Sequence, residues 1–329
     1  MARYGAAIIG SGSYAPDRIL TNHDLEQMVE TSDEWIRTRT GIRERHIAAD
    51  DEPTSAIACR AAEKALKAAS VNPSDLDMII VATLSPDNVF PNTGCQLQNR
   101  LGAHGAAAFS IEAACSGFLY AAQIAADMIR SGTASCALVV GAEKLSAYVD
   151  WTDRSTCVLF GDGAGAAIIK QVPATEDCFL ASELGADGKY KELLQIPAGG
   201  TEMPLTHDIL DQRLQYIKMS GREIFKLAVN AMTSASEKVL KQADISIDDV
   251  RWLVPHQANN RIITAVGKRL GIDEERVFIN VDRYGNTSAA TIPIAVDEIV
   301  RGGQVSKGDY LLLTAFGGGL TWGSLLVRW

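Results

Sequence analysis

The chain repeats itself, and an internal repeat constrains topology more tightly than composition does. "AEKALKAASVNPSDLDMIIVAT", residues 62–83, matches "SEKVLKQADISIDDVRWLVPHQ", residues 236–257, without a gap. Two further matches follow in the same order. "IAADMIRSGTASCALVVGAE" pairs with "IAVDEIVRGGQVSKGDYLLLTAFG" through small insertions, and "GDGAGAAIIK" pairs with "GGGLTWGSLLVRW". Shared helix propensity does not produce three matches in one order. The chain therefore reads as two similar halves, residues 1–174 and 175–329, joined near Pro173 to Asp187. Such a duplication makes one pseudo-symmetric body with loops from both halves meeting in a central cleft.

Within the first half, strands and helices alternate. "GAAIIGSG" predicts a buried strand, and "TSAIACRAAEKALKAAS" (54–70) places its apolar residues at helical spacing. "LDMIIVAT" has no polar face, as a central strand covered on both sides requires. "AAAFSIEA" and "SCALVVGAE" predict further strands flanking the helix "SGFLYAAQIAADMIRSG". The class is α/β, with helices on both faces of a sheet.

Composition removes several functions. With 329 residues, 47% of them hydrophobic, the chain can bury a large core. A net charge of −9 without long blocks of one sign argues against nucleic acid or an anionic membrane as partner. No apolar run reaches membrane-spanning length, and "MARYGAAIIGSGSYAPDR" lacks the pattern of a signal peptide. The cysteines (59, 95, 115, 136, 157, 178) form no CxxC pair, so a reducing cytoplasm is expected and a disulfide framework is not. His23, His46, His104 and His207 have no metal-ligand spacing, and no metal is expected. "GDGAGA" (161–166) leads into the strand-like "AAIIK" and opens no helix, so it is read as close backbone packing and not as a dinucleotide fingerprint.

Chemistry concentrates around Cys115. In "FSIEAACSGFLYAA" (109–122) the thiol follows a strand and begins a helix, where unpaired N–H groups lower a thiol pKa. A small core thiol fits the same position. "WLVPHQANN" puts His256 just past a buried strand, and "VDRYGNTSAAT" puts Asn286 in a turn ahead of a helix. By the repeat, the Asn286 turn lies within a residue or two of the place Cys115 holds in the first half. Taken singly, His256 could cap a helix and Asn286 could serve a turn. Taken with the repeat, the three polar groups converge.

"EAACSGFLYA", "VPHQANNRII", "NVDRYGNTSAATIP" and "AFGGGLTWGSLLVRW" together resemble the β-ketoacyl-acyl-carrier-protein synthase III enzymes, condensing enzymes with the thiolase fold. The resemblance covers nearly the whole chain, including "TSDEWIRTRTGIRERHI" and "TDRSTCVLFGDGAGAA". It implies a duplicated αβαβα core with five-stranded sheets, and a homodimer. It also implies the decarboxylative Claisen condensation of an acyl-CoA primer with malonyl-acyl carrier protein, which starts fatty acid synthesis without a cofactor. Cys115 would carry the acyl group, His256 and Asn286 would stabilise the enolate, and the backbone N–H groups of Cys115 and Gly318 would hold the oxyanion. Trp35 and Arg154 would stack on the CoA adenine, with Arg39 at its phosphates. Phe90 would cross the dimer to close the partner's acyl pocket. Arg261 and Lys226, with Arg222, Lys268 and Arg269 on the same two predicted helices, would meet the acidic carrier.

Plainer readings stand beside these: ion pairs of the arginine-rich helix to Glu34 and Glu44, solvated helix faces, and a core aromatic at Phe90. A condensing enzyme of secondary metabolism using CoA esters on both sides would keep the same three groups. A biosynthetic thiolase needs a second cysteine near the C-terminus, and none follows Cys178. A hydroxymethylglutaryl-type synthase needs a glutamate beside the thiol, and Glu112 falls in a predicted strand. A cysteine hydrolase leaves the duplication without purpose. Primer preference is not legible; "EMPLTHDILDQRLQYI" is where it is expected to be set.

Overall fold

The computed structural model describes residues 4–329, so the first three residues of the N-terminal stretch weighed above lie outside the described residues. The first sheet has five strands: β1 (Gly5–Tyr14), β2 (Met78–Ala82), β3 (Ala107–Ile111), β4 (Cys136–Glu143) and β5 (Gly163–Val172). Their spatial order is β1-β5-β4-β2-β3, with β4, β2 and β3 mutually parallel. The second sheet contains β6 (Phe179–Ala186), β7 (Val250–Pro255), β8 (Tyr310–Gly317) and β9 (Thr321–Arg328), in the order β6-β9-β8-β7. Strand for strand, β6, β9, β8 and β7 repeat β1, β5, β4 and β2. The first sheet draws its strands from residues 5–172 and the second from residues 179–328.

The fifth place in the second sheet is reduced. Leu253 of β7 and Val277 form one parallel bridge, and the Phe278 N–H donates to the Leu253 carbonyl at 2.9 Å. The chain then leaves the sheet. The N–H groups of Asn280 and Val281 both donate to Gln257 Oε1, so a side-chain amide takes the donors that a ladder would use. Four regular strands and a bridge stand where five strands were expected.

Helices complete the layers. Helix α1 (Asp33–Thr40) lies at the surface, and α2 (Thr54–Ala69) covers the outer face of the first sheet. Helix α3 (Gly117–Arg130) is packed between the two sheets, where buried Ala121, Ala122, Ala125 and Ala126 allow close approach. On the far side, α4 (Gly221–Ala243) covers the second sheet and packs against α5 (Asn260–Leu270). Helix α6 (Thr291–Arg301) shares the central layer and is buried over most of its length. Its one buried acid, Asp297, accepts from Ser11 Oγ at 2.8 Å and Ser13 Oγ at 2.7 Å, tying α6 to β1 of the other half. The order is helix, sheet, helix, sheet, helix, the thiolase-fold layering.

The central helices are entered through matching turns. Ala114–Ser116 precedes α3 and Ser288–Ala290 precedes α6, each a single 3₁₀ turn. Their first residues, Ala114 (φ 43°) and Ser288 (φ 47°), are left-handed, which costs about 1–2 kcal/mol for a residue with a β-carbon. Local acceptors hold them there: Glu112 Oε1 takes the Ala114 N–H and Asn286 Oδ1 takes the Ser288 N–H, both at 2.9 Å. The offset relating 62–83 to 236–257 also relates Glu112 to Asn286 and Ala114 to Ser288. Asn286 is therefore the counterpart of Glu112, and the counterpart of Cys115 is Ala289.

Each turn rests on the other half's sheet. A β-carbon on Gly317 of β8 would lie 2.6 Å from the Cys115 backbone nitrogen, and one on Gly141 of β4 would lie 2.2 Å from the Ala289 oxygen. The glycines of "GDGAGA" serve the same packing, since a β-carbon on Gly165 would meet Ile294 N of α6 at 2.6 Å. We expect Gly141→Ala to push the Ala289 turn outward and to cost about 1–3 kcal/mol. Thermal unfolding checks this, and an unchanged Tm contradicts the close approach.

Candidate active site

Cys115 is 6% exposed and borders two cavities. One, about 300 Å³, is an apolar chamber walled by Leu84, Leu145, Phe160, Ile196 and Ile217, with Ser288, Gly318 and Gly319 also in its lining. The other, about 80 Å³, is a narrow passage lined by His256, Asn286, Met219, Ile224, Asn259 and Phe316. Both cavities share Phe160 and Leu194. The structure thus brings Cys115, His256 and Asn286 to one passage, and Gly318 lines the chamber that Cys115 also borders.

Backbone bonds fix the two second-half residues. The His256 N–H donates to Thr314 O of β8 at 2.8 Å, holding the residue at the end of β7. The Asn286 N–H donates to Leu159 O at 2.8 Å, and Asn286 O accepts from Gly161 N–H at 3.1 Å. Because Asn286 Oδ1 is committed to the Ser288 N–H, its amide NH₂ is left to face the passage. His256 Nδ1 lies 2.7 Å from Thr291 Oγ1, which is also 3.0 Å from Ser288 O. The single Thr291 proton can serve only one of these. If it goes to the ring, Nε2 carries the hydrogen and is a donor.

The electrostatics correct one expectation. The helix start predicts a lowered Cys115 pKa, yet burial pushes the thiol up to about 12, opposed by the Ser288 hydroxyl and reinforced by Glu143 and Glu112. Desolvation is the largest cause and outweighs the lowering by the Ser288 hydroxyl and the Cys115 backbone N–H. Burial also drives His256 down to about 3, so its imidazole is neutral at physiological pH. No carboxylate lines the passage.

Around this centre the other expected residues spread out. Two guanidinium groups lie over the ring of Trp35 of α1, with Arg39 Cζ 5.0 Å and Arg154 Cζ 4.9 Å from its centre. Helix α1 packs against the start of α5, where Asn259 and Ile262 line the passage. Of the other arginines in that stretch, Arg37 pairs with Asp33 at 3.1 Å, and not with Glu34 or Glu44. Arg45 is a wholly buried group bonded to Leu20 O, Asn22 Oδ1 and Val158 O. Arg222, Lys226 and Arg261 are exposed at the starts of α4 and α5, beside passage residues Gly221 and Ile262. Phe90 is 88% exposed and lines neither cavity of its own chain. Glu112, expected in a strand, comes just after β3 and lines the chamber.

Residues 109–188 match the profile described as 3-oxoacyl-[acyl-carrier-protein (ACP)] synthase III, and residues 240–329 match its C-terminal profile. The β-ketoacyl-[acyl-carrier-protein] synthase III of Roseiflexus castenholzii is 53% identical over 325 residues, 98% of each chain. The chain belongs to the β-ketoacyl-acyl-carrier-protein synthase III family. It is with them an acyl-transferring condensing enzyme. The synthase III from Aquifex aeolicus superposes with a TM-score of 0.91 at 50% identity, over 99% of this chain and 100% of that one. A priming β-ketosynthase from the R1128 polyketide pathway superposes equally well, at 0.92, but at 33% identity over 99% of this chain and 96% of that one. The sequence therefore sides with the fatty-acid synthases over the secondary-metabolite alternative.

Three residues of the synthase site were not singled out in the sequence: Ser288, Thr291 and Glu143. The first two stand in the quoted "GNTSAAT" and look like turn residues. Glu143 shows itself only as an acid ending the otherwise apolar "CALVVGAE".

The His256 shift has a testable sign. An unfolded histidine takes up a proton near 6.5 and the folded one only near 3, so this residue costs stability as pH falls through that interval. Imidazole NMR should show a neutral His256 ring down to about pH 4. A ring titrating between pH 6 and 7 contradicts the buried, neutral group.

Proposed function

We propose that this synthase joins an acyl-CoA primer to malonyl-acyl carrier protein with Cys115, His256 and Asn286 as its reacting groups. Cys115 sulfur attacks the primer thioester, and the tetrahedral oxyanion is held by the backbone N–H groups of Cys115 and Gly318. The acyl chain occupies the apolar chamber and CoA departs. Malonyl thioester then enters through the passage. Loss of CO₂ leaves its electron pair on the α-carbon, delocalised onto the thioester oxygen. That oxygen accepts hydrogen bonds from His256 Nε2 and the Asn286 NH₂. The carbanion attacks the acyl carbon, the new C–C bond forms, and the Cys115 thiolate is expelled.

The observation that carries this reading is the donor set of the passage: a neutral imidazole and a free amide beside the sulfur, with no carboxylate to repel an enolate. Decarboxylation needs donors and no strong base, which is what such a lining offers. The donor role requires the Nε2–H tautomer, in which Thr291 Oγ1 donates to Nδ1 in place of Ser288 O.

Substrate and assembly follow from the periphery. Indole and guanidinium planes stack on a purine, so adenine would enter between Trp35 and Arg154 with Arg39 near the phosphates. Arg261, Lys226 and Arg222 gather local positive charge for an acidic carrier on an otherwise acidic protein. Strand β3 is an edge strand with partly buried Phe109 and Ile111 and no charged side chain along Ala107–Ile111. An edge so unguarded calls for a partner, and we assign it to a homodimer in which exposed Phe90 closes the other subunit's chamber. Each half, 1–174 and 175–329, supplies one of the two turns. The reaction as drawn uses no cofactor, acyl-CoA being a substrate.

Asn286→Ala should reduce CO₂ release from malonyl-acyl carrier protein by ~10²–10³-fold, the usual loss of one oxyanion donor, while Cys115 still accepts an acyl group. Undiminished CO₂ release removes Asn286 from the role.

A further inference from the structure

The apolar chamber is walled in part by a loop that leaves and returns at one place. Leu194–Gln195 pairs antiparallel with Lys218–Met219, so residues 196–217 form an excursion closed at its base. Next to that short ladder, the Ser220 N–H donates to Leu193 O at 2.8 Å. Leu194, Gln195, Ile196 and Ile217 all line the chamber. The far part of the excursion leans on little: residues 199–212 are exposed except for Met203 and Ile209. Segments with so few buried contacts are the ones that open locally. The hold on Ile196 and Ile217 must therefore come from the stretch between Gln212 and Ile217.

One charged pair stands there. Arg213 donates from Nε to Asp150 Oδ2 at 2.8 Å and from Nη2 to Asp150 Oδ1 at 2.7 Å, a two-pronged bond of guanidinium to carboxylate. Asp150 is buried, and its Oδ1 also accepts from the Thr152 N–H and hydroxyl. Arg213 holds that carboxyl well below the usual carboxylate range, so the pair is ionic at neutral pH. Lys218 Nζ lies 3.8 Å from the same carboxylate, beyond hydrogen-bond reach. The Arg213 backbone is left-handed (φ 57°), which a residue with a β-carbon keeps only where its surroundings over-determine it. The Asp150 bond, the Arg213 N–H on Leu210 O at 3.0 Å and the Tyr216 ring 5.0 Å from Arg213 Cζ supply that constraint.

Asp150 in turn lies on a segment that is fixed on both sides of it. Tyr148 O accepts the Ile217 N–H at 2.9 Å, Leu145 lines the chamber, and Arg154 Nη1 donates to Glu30 O at 2.8 Å. Neither Asp150 nor Arg213 lines the chamber itself. A second ion pair on the excursion, Glu202 with Lys191 at 3.0 Å, is exposed on both sides and screened by water.

We propose that the Asp150–Arg213 pair pins the excursion in place as the chamber wall and thereby favours acyl primers longer than acetyl. Both are positioning residues, acting through Ile196 and Ile217. A fixed wall rewards a chain long enough to reach it, because each methylene laid against it leaves water. A loosened wall withdraws those contacts. An acetyl group fills little of a 300 Å³ chamber and loses little when the wall moves. The inference rests on the reading that Cys115 carries the acyl group into this chamber.

The test is a competition: the protein meets equal acetyl-CoA and butanoyl-CoA briefly, and the Cys115 peptide is weighed for the two acyl masses. Both masses come from the same folded molecules, so a variant that folds only in part lowers both and leaves their ratio alone. Butanoyl has two more methylenes than acetyl, worth about fourfold each when buried, which sets a ceiling of about fifteenfold. In Arg213→Met the butanoyl-to-acetyl ratio should fall about tenfold below wild type. Asp150→Asn should match it, and the double variant should fall no further than either, as for two groups acting through one bond. Arg213→Lys keeps the charge without the fork and should lie between. Lys191→Met, which breaks the exposed pair, should stay within about twofold of wild type. A ratio in Arg213→Met that is unchanged or moves toward butanoyl overturns the clamp. So does an equal shift in Lys191→Met, or a double variant in which the two shifts add. Wild-type protein that takes acetyl alone overturns the chamber as a seat for longer chains, and the clamp with it. Absence of either acyl mass on wild-type Cys115 overturns the nucleophile assignment itself.

Discussion

Two left-handed turns, each seated on a glycine-lined strand of the opposite half, hold this molecule's chemistry in place. Ala114 and Ser288 are strained residues that persist because Glu112 and Asn286 bond their N–H groups and because β8 and β4 close over them. The same contact that locks one turn presents a thiol, and the one that locks the other presents a carboxamide. Strain of this kind survives only where surrounding packing over-determines it. Here the packing is the interface between the duplicated halves, so fold and site depend on one interaction.

Duplication followed by divergence at matched positions explains the division of labour. Where the first half carries Glu112, the second carries Asn286; where the first carries Cys115, the second carries Ala289. Both Glu112 and Asn286 bond the first N–H of their turn. Only the amide also has an NH₂ to spare, and a carboxylate at that place would oppose the negative charge of an enolate. Burial then sets protonation: it holds His256 neutral and favours the neutral thiol at Cys115.

Much of this was legible in the residues. The gapless match of 62–83 with 236–257 gave the layered halves, and the small, apolar stretches gave strand and helix to within a residue or two. Cys115, His256 and Asn286 could be brought together because the repeat supplied the missing third dimension. Other features lay outside what pattern can carry. The fifth strand of the second sheet was lost to Gln257, a side chain whose bonding to Asn280 and Val281 depends on folded geometry. The direction of the Cys115 shift turned on enclosure by distant walls such as Leu145 and Ile217, not on the local helix start. Arg45 looked like its exposed neighbours and proved to be a core group. Glu143 stands in a strand of perfectly ordinary hydrophobic pattern, and its bonds to Ser85 and Thr83 exist only after folding.

The most direct measurement is a crystal structure of the Cys115→Ala protein with a non-cleavable malonyl thioester analogue. The account predicts the thioester oxygen about 2.7–3.2 Å from both His256 Nε2 and Asn286 Nδ2, with its α-carbon toward residue 115. An analogue bound with that oxygen on any other pair of groups, or a passage closed to it, contradicts the shared passage on which everything else stands.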